Sequence, residues 1–286
     1  MDVLPLVDFI MERERVRLRK EAGDSAPWTD DPILREWRFC NVRRNDDRQT
    51  RLIHQGWLTP HGEDPDVWFA MVVARLINWW PSLNAVGYPV PWSPARFKLA
   101  LAARTKKKEK VFTGAYMVRA DAVVSGLKSD YLADYVLTPL WAARKEVRPR
   151  SGDTLAAFHA RLTQFRDMGS FMAAQVVADV KYAEGSPLRW AEDWATWAAP
   201  GPGSLRGLNR VCGDPPDTPW NGRTPSRVWE DVFERCRQLV LMQLSTTALG
   251  NLTGQDLQNC LCEFDKYERV RLGEGRPRSR YTPTTL

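Results

Sequence analysis

Hydrophobic positions along the chain recur at helical spacing, in runs that proline and glycine interrupt. The clearest run is Phe171 to Val180. There Phe171, Ala174, Val177 and Ala178 fall on one face and Met172, Val176 and Val180 on another, the pattern of a buried helix. An amphipathic run ends near Phe165, and Gly169 lies between the two. Residues 164–182, QFRDMGSFMAAQVVADVKY, are therefore expected to form a helix–hairpin–helix. Glycine in such a turn permits φ > 0, and a helix start leaves unpaired N–H groups, a combination that suits a phosphate. An ordinary link between two core helices has the same pattern and is the commoner structure.

The rest of the pattern is also helical. Helices are expected over Leu6–Lys20, Ile33–Val42, Asp46–Trp57 and Val67–Trp80, the last apolar enough to be buried. Ser93-Pro94 starts another helix that reaches about Arg104. Val111–Val118 is the one stretch with strand-like content. Asp130–Val147 reads as a helix bent at Pro139, and Thr154–Phe165 leads into the hairpin. Pro200–Asn209, PGPGSLRGLN, reads as a loop, and helices over Thr224–Leu244 and Gln255–Arg271 precede a basic tail at 273–286. The expected fold class is all-α: one helical unit over residues 1–286, with a possible sub-domain split near residue 150.

Charge narrows the choice of partner. The chain carries 41 Lys+Arg against 35 Asp+Glu, a net charge of +6, with a pI near 9.1. That balance points towards a polyanion. Five cysteines without zinc spacing argue against a disulfide framework and a zinc site, which fits a reducing cytoplasm. No apolar run is long enough for a membrane span.

No standard catalytic motif is present. GPGSLRG lacks the Lys-Ser/Thr pair of a P-loop, GxSxG does not occur, and His54, His61 and His159 are too scattered for a metal site. Three patches remain. Arg38–Arg48 groups Arg38, Arg43, Arg44 and Arg48 around Asn41, which suits phosphate oxygens. A charged corner between helices, with Asp46 and Asp47 as internal partners, fits equally well. Asp193 precedes the Pro200–Gly207 loop, where Gly201 and Gly203 would let backbone approach a ligand and Ser204 would cap the helix carrying Arg206. Cys262–Arg269, with Lys266 and Arg269 on one helical face, reads as a solvated amphipathic face.

Taken together, RFCNVRRNDDR, FTGAYMVR, MGSFMAAQVVADVKY, PGPGSLRGLN and LCEFDKYERVRLGEGRPRSRY resemble the alpha-glutamyl/putrescinyl thymine pyrophosphorylases of bacteriophages, clade 2, also called amino acid:DNA transferases. The resemblance runs from about Glu12 to Tyr281. It implies a fold related to the helix–hairpin–helix DNA glycosylases. It also implies DNA carrying pyrophosphorylated 5-hydroxymethyluracil as substrate, a free amine (glycine, glutamate or putrescine class) as co-substrate, a functional link to a hydroxymethyluracil DNA kinase, and no cofactor. Such a displacement needs cations for the leaving pyrophosphate and a base for the amine, and a base within a duplex would first be flipped out.

Against the glycosylase pattern, Phe171 stands where bifunctional members carry lysine, so Schiff-base lyase chemistry is not expected. Asp193 falls some four residues beyond the place of the catalytic aspartate, and Asp179 is its alternative. The candidate catalytic groups are thus Asp193, Asp179 and Lys266. The candidate phosphate or DNA contacts are Arg38, Asn41, Arg43, Arg44, Arg48, Gly169, Gly201, Gly203, Ser204 and Arg206. Rival readings are a monofunctional glycosylase and a non-catalytic helical DNA-binding module of the kind that accompanies hydroxymethyluracil DNA kinases.

Overall fold

The computed structural model describes residues 1–113, 127–220, 228–277 and 279–281. Among these the chain is all-α, and the only extended pairing is an isolated antiparallel bridge between Trp37 and Arg280. The strand-like stretch at Val111–Val118 lies outside the described residues from residue 114 onward, as does Arg278 of the tail. Backbone contacts divide the chain into two compact units, Met1–Asp47 with Pro200–Leu286, and Arg48–Ala199. Residues near 150 lie inside the second unit. Helices are numbered below along the whole chain.

The first unit is built on its last helix. It contains α1 (Leu4–Glu21), α2 (Pro32–Glu36), α12 (Pro202–Cys212), α13 (Trp229–Leu244) and α14 (Gly254–Arg271). Thr253 and Asp256 start α14 with a reciprocal capping box: the Thr253 hydroxyl accepts from the Asp256 N–H, and the Asp256 carboxylate accepts from the Thr253 N–H. Leu6, Phe9 and Ile10 bury one face of α1, and Phe9 meets Phe39, Phe264 and Tyr267 with ring centroids 4.9–5.8 Å apart. Each such side chain contributes about 1.5–3 kcal/mol on burial.

PGPGSLRGLN is helix rather than loop. Pro202 sits in the first turn of α12, where its missing N–H costs nothing. Gly203 and Gly207, one turn apart, lie against α14. A Cβ on Gly203 would come within 2.4 Å of the Cys262 sulfur, and one on Gly207 within 2.1 Å of the Leu261 carbonyl oxygen. These glycines serve a close approach of two helices.

The expected helix over Ile33–Val42 ends at Glu36. Trp37 is extended, the Arg38 N–H donates to Ser279 O (3.2 Å), and the Tyr281 N–H donates to Glu36 O (2.8 Å), so backbone groups that would have continued the helix pair with the chain end instead.

The second unit has α4 (Val67–Ile77) at its centre, with every residue buried. Around it lie α3 (Arg48–Ile53), α5 (Trp80–Val86), α6 (Pro94–Lys106), α7 (Lys128–Tyr131), α8 (Thr138–Ala142), α9 (Arg144–Val147), α10 (Leu155–Leu162) and α11 (Ser170–Val180). The bend expected at Pro139 is a π turn over Leu132–Leu137. Proline offers no N–H and crowds the carbonyl four residues back, so the chain widens ahead of it. A second π turn, His54–Leu58, holds Gly56 against the Trp80 ring, where a Cβ would lie 1.8 Å from ring carbon.

The stretch expected to form the hairpin carries α10 and α11, but the conformations of the link between them differ from expectation. Gly169 has φ −59° and ψ 166° and is the N-cap of α11, with nothing near an added Cβ. The left-handed residue is Asp167 (φ 59°), whose carboxylate accepts from the Tyr131 hydroxyl at 2.6 Å. Aspartate tolerates that conformation better than most side chains.

Candidate functional site

In the first unit, Arg38, Asn41, Arg43 and Arg44 run antiparallel along one side of α14. The Arg44 N–H donates to Asp256 (3.0 Å), Asn41 O accepts from Asn259 (3.2 Å), the Cys40 N–H donates to Glu263 (3.0 Å), and Arg38 O accepts from the Lys266 ammonium (3.0 Å). Arg43 reaches Ala248 O (2.7 Å) and Asn251 (2.5 Å). The Asn41 side chain closes its own turn on Asp46 O at 2.8 Å, and its N–H donates to Asp47 at 3.0 Å. Beneath the segment the guanidinium of Arg13, from α1, is buried and donates to Cys40 O and Asn41 O. The strip is a braced edge: its backbone is pinned to α14, and of these four residues Arg38 alone is exposed, the others being half-buried.

Lys266 is not a free base. Besides Arg38 O, its ammonium meets Glu263 at 2.5 Å and lies 4.7 Å from the Phe39 ring centre. The reading of Cys262–Arg269 as a solvated face is overturned, since Glu263, Asp265 and Glu268 are all buried. Buried carboxylates persist only when paired, and each of these is: Glu263 by Lys266 and the Cys40 N–H, Glu268 by Arg271, and Asp265 by three arginines.

On α12, Gly201 precedes the helix, and its N–H is taken by the buried Ser204 hydroxyl at 3.0 Å, which itself donates to Gly201 O. The hydroxyl also accepts from Gln258 at 3.2 Å. Gly203 faces Cys262. Gly201, Gly203 and Ser204 thus form a helix start packed on α14 rather than a cradle for a ligand. Arg206 is different. Its Nε lies 3.3 Å from both oxygens of Asp265, with Nη1 directed outward to Asp217.

The second unit holds Arg48, Gly169, Asp179 and Asp193, and they do not form one site. Arg48 is exposed at the start of α3. Gly169 is at the exposed start of α11. Asp179 lies deep in the unit, with Arg75 Nε 2.6 Å from Oδ2 and His54 Nε2 3.0 Å from Oδ1. Burial pushes its pKa up, but the Arg75 charge and the hydrogen bonds from Arg75 and His54 outweigh that and hold the carboxyl well below the usual range. A base so committed cannot take a proton near neutrality.

Asp193 caps α10: its two oxygens accept the Leu155 and Ala156 N–H groups at 2.7 and 3.0 Å. That use explains a carboxylate at this position without chemistry. Asp193→Ala is expected to cost about 1 kcal/mol of stability, seen as a lower denaturation midpoint and faster amide exchange at the start of α10. In the tryptophan-rich segment, Trp194 and Trp197 pack against Tyr182 and His159, while Trp190 is 84% exposed.

A cavity of about 530 Å³ in the first unit is lined by Asp8, Glu12, Asp31 and Glu268 among others. With only Arg15 and Arg271 opposing these carboxylates, it is unsuited to phosphate.

The family described as the helical domain of 5-hmdU DNA kinase matches residues 3–276. The chain belongs to that family. A 5-hmdU DNA kinase of Bacillus phage SP10 is 27% identical over 228 residues, covering 72% of this chain and 35% of the kinase. The chain therefore spans about a third of the length of the curated relative it matches. No solved structure matches it. Membership in the 5-hmdU DNA kinase helical-domain family fits the all-α architecture and is compatible with a helical module of the kind that accompanies the kinase.

Proposed function

We propose that this chain is a DNA-recognition module of a phage 5-hydroxymethyluracil modification system, which presents the modified base for the kinase step. The observation that carries this reading is the family match across residues 3–276. Two features support a binding role over catalysis. Asp179, Asp193 and Lys266 are each committed to a structural partner. The 286 residues also contain no P-loop with which to perform the kinase chemistry.

The test is fluorescence anisotropy with matched duplexes carrying 5-hydroxymethyluracil or thymine. Binding to both, tighter for the modified duplex and weakening steeply with salt, is the expected outcome. Absence of binding at low salt removes the reading.

A second reading keeps the chain as the amino acid:DNA transferase that its motifs resemble. What favours it is the group of three arginines held on Asp265 by α12 and α14, since departure of pyrophosphate calls for fixed cations. Mass spectrometry of nucleosides decides the matter, using pyrophosphorylated DNA incubated with the chain and glycine, glutamate or putrescine. The DNA-recognition reading expects no aminomethyl nucleoside from the chain alone, and the appearance of one would replace it.

A further inference from the structure

Arg206 and Arg210 stand one turn apart on α12, and Arg269 stands one turn after Asp265 on α14. All three converge on Asp265, whose side chain is 3% exposed. The contacts to Asp265 run through the Nε atoms: Arg210 at 2.9 Å, Arg206 at 3.3 Å and Arg269 at 3.3 Å. The Arg269 side chain is 37% exposed; with Nε turned inward, the Nη atoms of Arg206 (29% exposed) and Arg210 (8% exposed) point away from Asp265. Their partners there are surface carboxylates, Asp217 on Arg206 and Glu274 on Arg210. Asp217 is 82% exposed and Glu274 is also at the surface. Guanidinium groups do not lose their charge in proteins, so one buried carboxylate facing three of them leaves two positive charges in excess. The inner carboxylate fixes the geometry, and the outer two supply oxygens where an anion would supply its own.

We infer that the Nη edges of Arg206, Arg210 and Arg269 form a phosphate-oxygen site taken by backbone phosphates of DNA, with Asp217 and Glu274 as built-in competitors that the DNA displaces. The choice of DNA as the source of phosphate rests on the function proposed above. The fork of a guanidinium matches two oxygens of one phosphate, and the Asp265 anchor spares the DNA the cost of ordering three long side chains. Displacement of two resident carboxylates makes the site weaker than its charge alone suggests.

The experiment uses the full chain and a 5-hydroxymethyluracil duplex, with inorganic pyrophosphate as a second probe. Asp217→Asn/Glu274→Gln is expected to bind the duplex about tenfold more tightly. The charge-matched control Asp24→Asn/Asp30→Asn, altering two exposed carboxylates of the same unit, should gain much less. Arg269→Gln is expected to bind about tenfold more weakly, with a salt slope smaller by about 1 and an unchanged melting midpoint. A gain of binding cannot come from misfolding, so the carboxylate variant protects the test.

If the wild-type chain binds DNA and the carboxylate variant gains no more than the control, the inference is overturned and the DNA-recognition reading stands. If the wild-type chain binds no DNA, that reading and the DNA assignment fall together. Pyrophosphate binding that tightens in the carboxylate variant then keeps the cluster as a phosphate site, and its absence overturns the site as well.

Discussion

Gly207→Ala is expected to destabilise the first unit by about 2 kcal/mol, while Gly203→Ala, four residues away on the same helix, changes stability little. Both glycines face α14, and both would gain about 1 kcal/mol of helix propensity as alanine. The difference lies in what the new methyl meets. At Gly207 it lies 2.1 Å from the Leu261 carbonyl oxygen and 2.7 Å from its carbon, backbone that moves only if the helices part. Overpacking of that kind costs about 1–3 kcal/mol, and a clash with backbone belongs at the upper end. At Gly203 the nearest atom is the Cys262 sulfur, the end of a side chain that can rotate away, and the next contacts are an ordinary 3.4–3.5 Å.

Denaturant midpoints for the two variants, with amide exchange along α12 and α14, provide the check. Equal effects at the two positions would show that the helices are not held at this distance. Because Arg206 and Arg210 project from the same helix, parting α12 from α14 should also loosen the arginines on Asp265. Gly207→Ala therefore ought to weaken duplex binding as well.

The helical class and the central helices were legible because their information is local. An apolar run such as Val67–Ala74 can only be buried, and Met172–Val180 is largely buried as well. Phe171, placed by its spacing on a buried face, is 55% exposed at the helix start. Proline and glycine misled at Pro200–Asn209. Both residues break helices in isolation, yet here one occupies a first turn and the others an interface, and only the position of α14 tells these uses apart.

Charge misled for a similar reason. Glu263, Asp265 and Lys266 look solvated beside their neighbours in sequence. Beyond the local pairs Glu263–Lys266 and Asp265–Arg269, their partners come from elsewhere in the first unit: Cys40 and Arg38 lie more than 220 positions away, and Arg210 comes from another helix. Arg206 was visible as a cation in a glycine-rich stretch. Arg210 and the organising role of Asp265 were not, because a three-arginine site on one carboxylate exists only once α12 and α14 are side by side. Asp193 and Asp179 were chosen for their place relative to the hairpin stretch, the one after it and the other within its second helix. Nothing in that place reveals that one caps a helix starting 38 residues earlier and the other faces an arginine 104 residues away.

Arg75→Met is expected to have the largest effect of any single change, about 3–5 kcal/mol, against a total stability of roughly 5–15 kcal/mol for a domain. Arg75 and Asp179 are both almost wholly buried. The guanidinium meets both carboxylate oxygens and also donates to Thr50 at 3.1 Å. Methionine fills similar space but leaves Asp179 charged with only His54 at hand, and an uncompensated buried carboxylate is the dominant cost.

The pH dependence separates this cause from lost packing. In the wild-type chain the carboxyl is held below its usual range, so the stability it contributes is complete above the unfolded value near 4 and is lost as pH falls through the lower folded value. Without Arg75, burial prevails and the folded value lies above the unfolded one. The variant then pays for ionised Asp179 at neutral pH, and the penalty disappears as the carboxyl takes up a proton on acidification.

The stability gap between the two proteins, measured by urea denaturation, should therefore narrow steadily from pH 7 towards pH 4. A gap that stays constant across that range would assign the loss to packing. Arg75→Met/Asp179→Leu, which removes both charges, should recover most of the loss at pH 7, because the expensive species is the single unpaired carboxylate and not the absence of the ion pair.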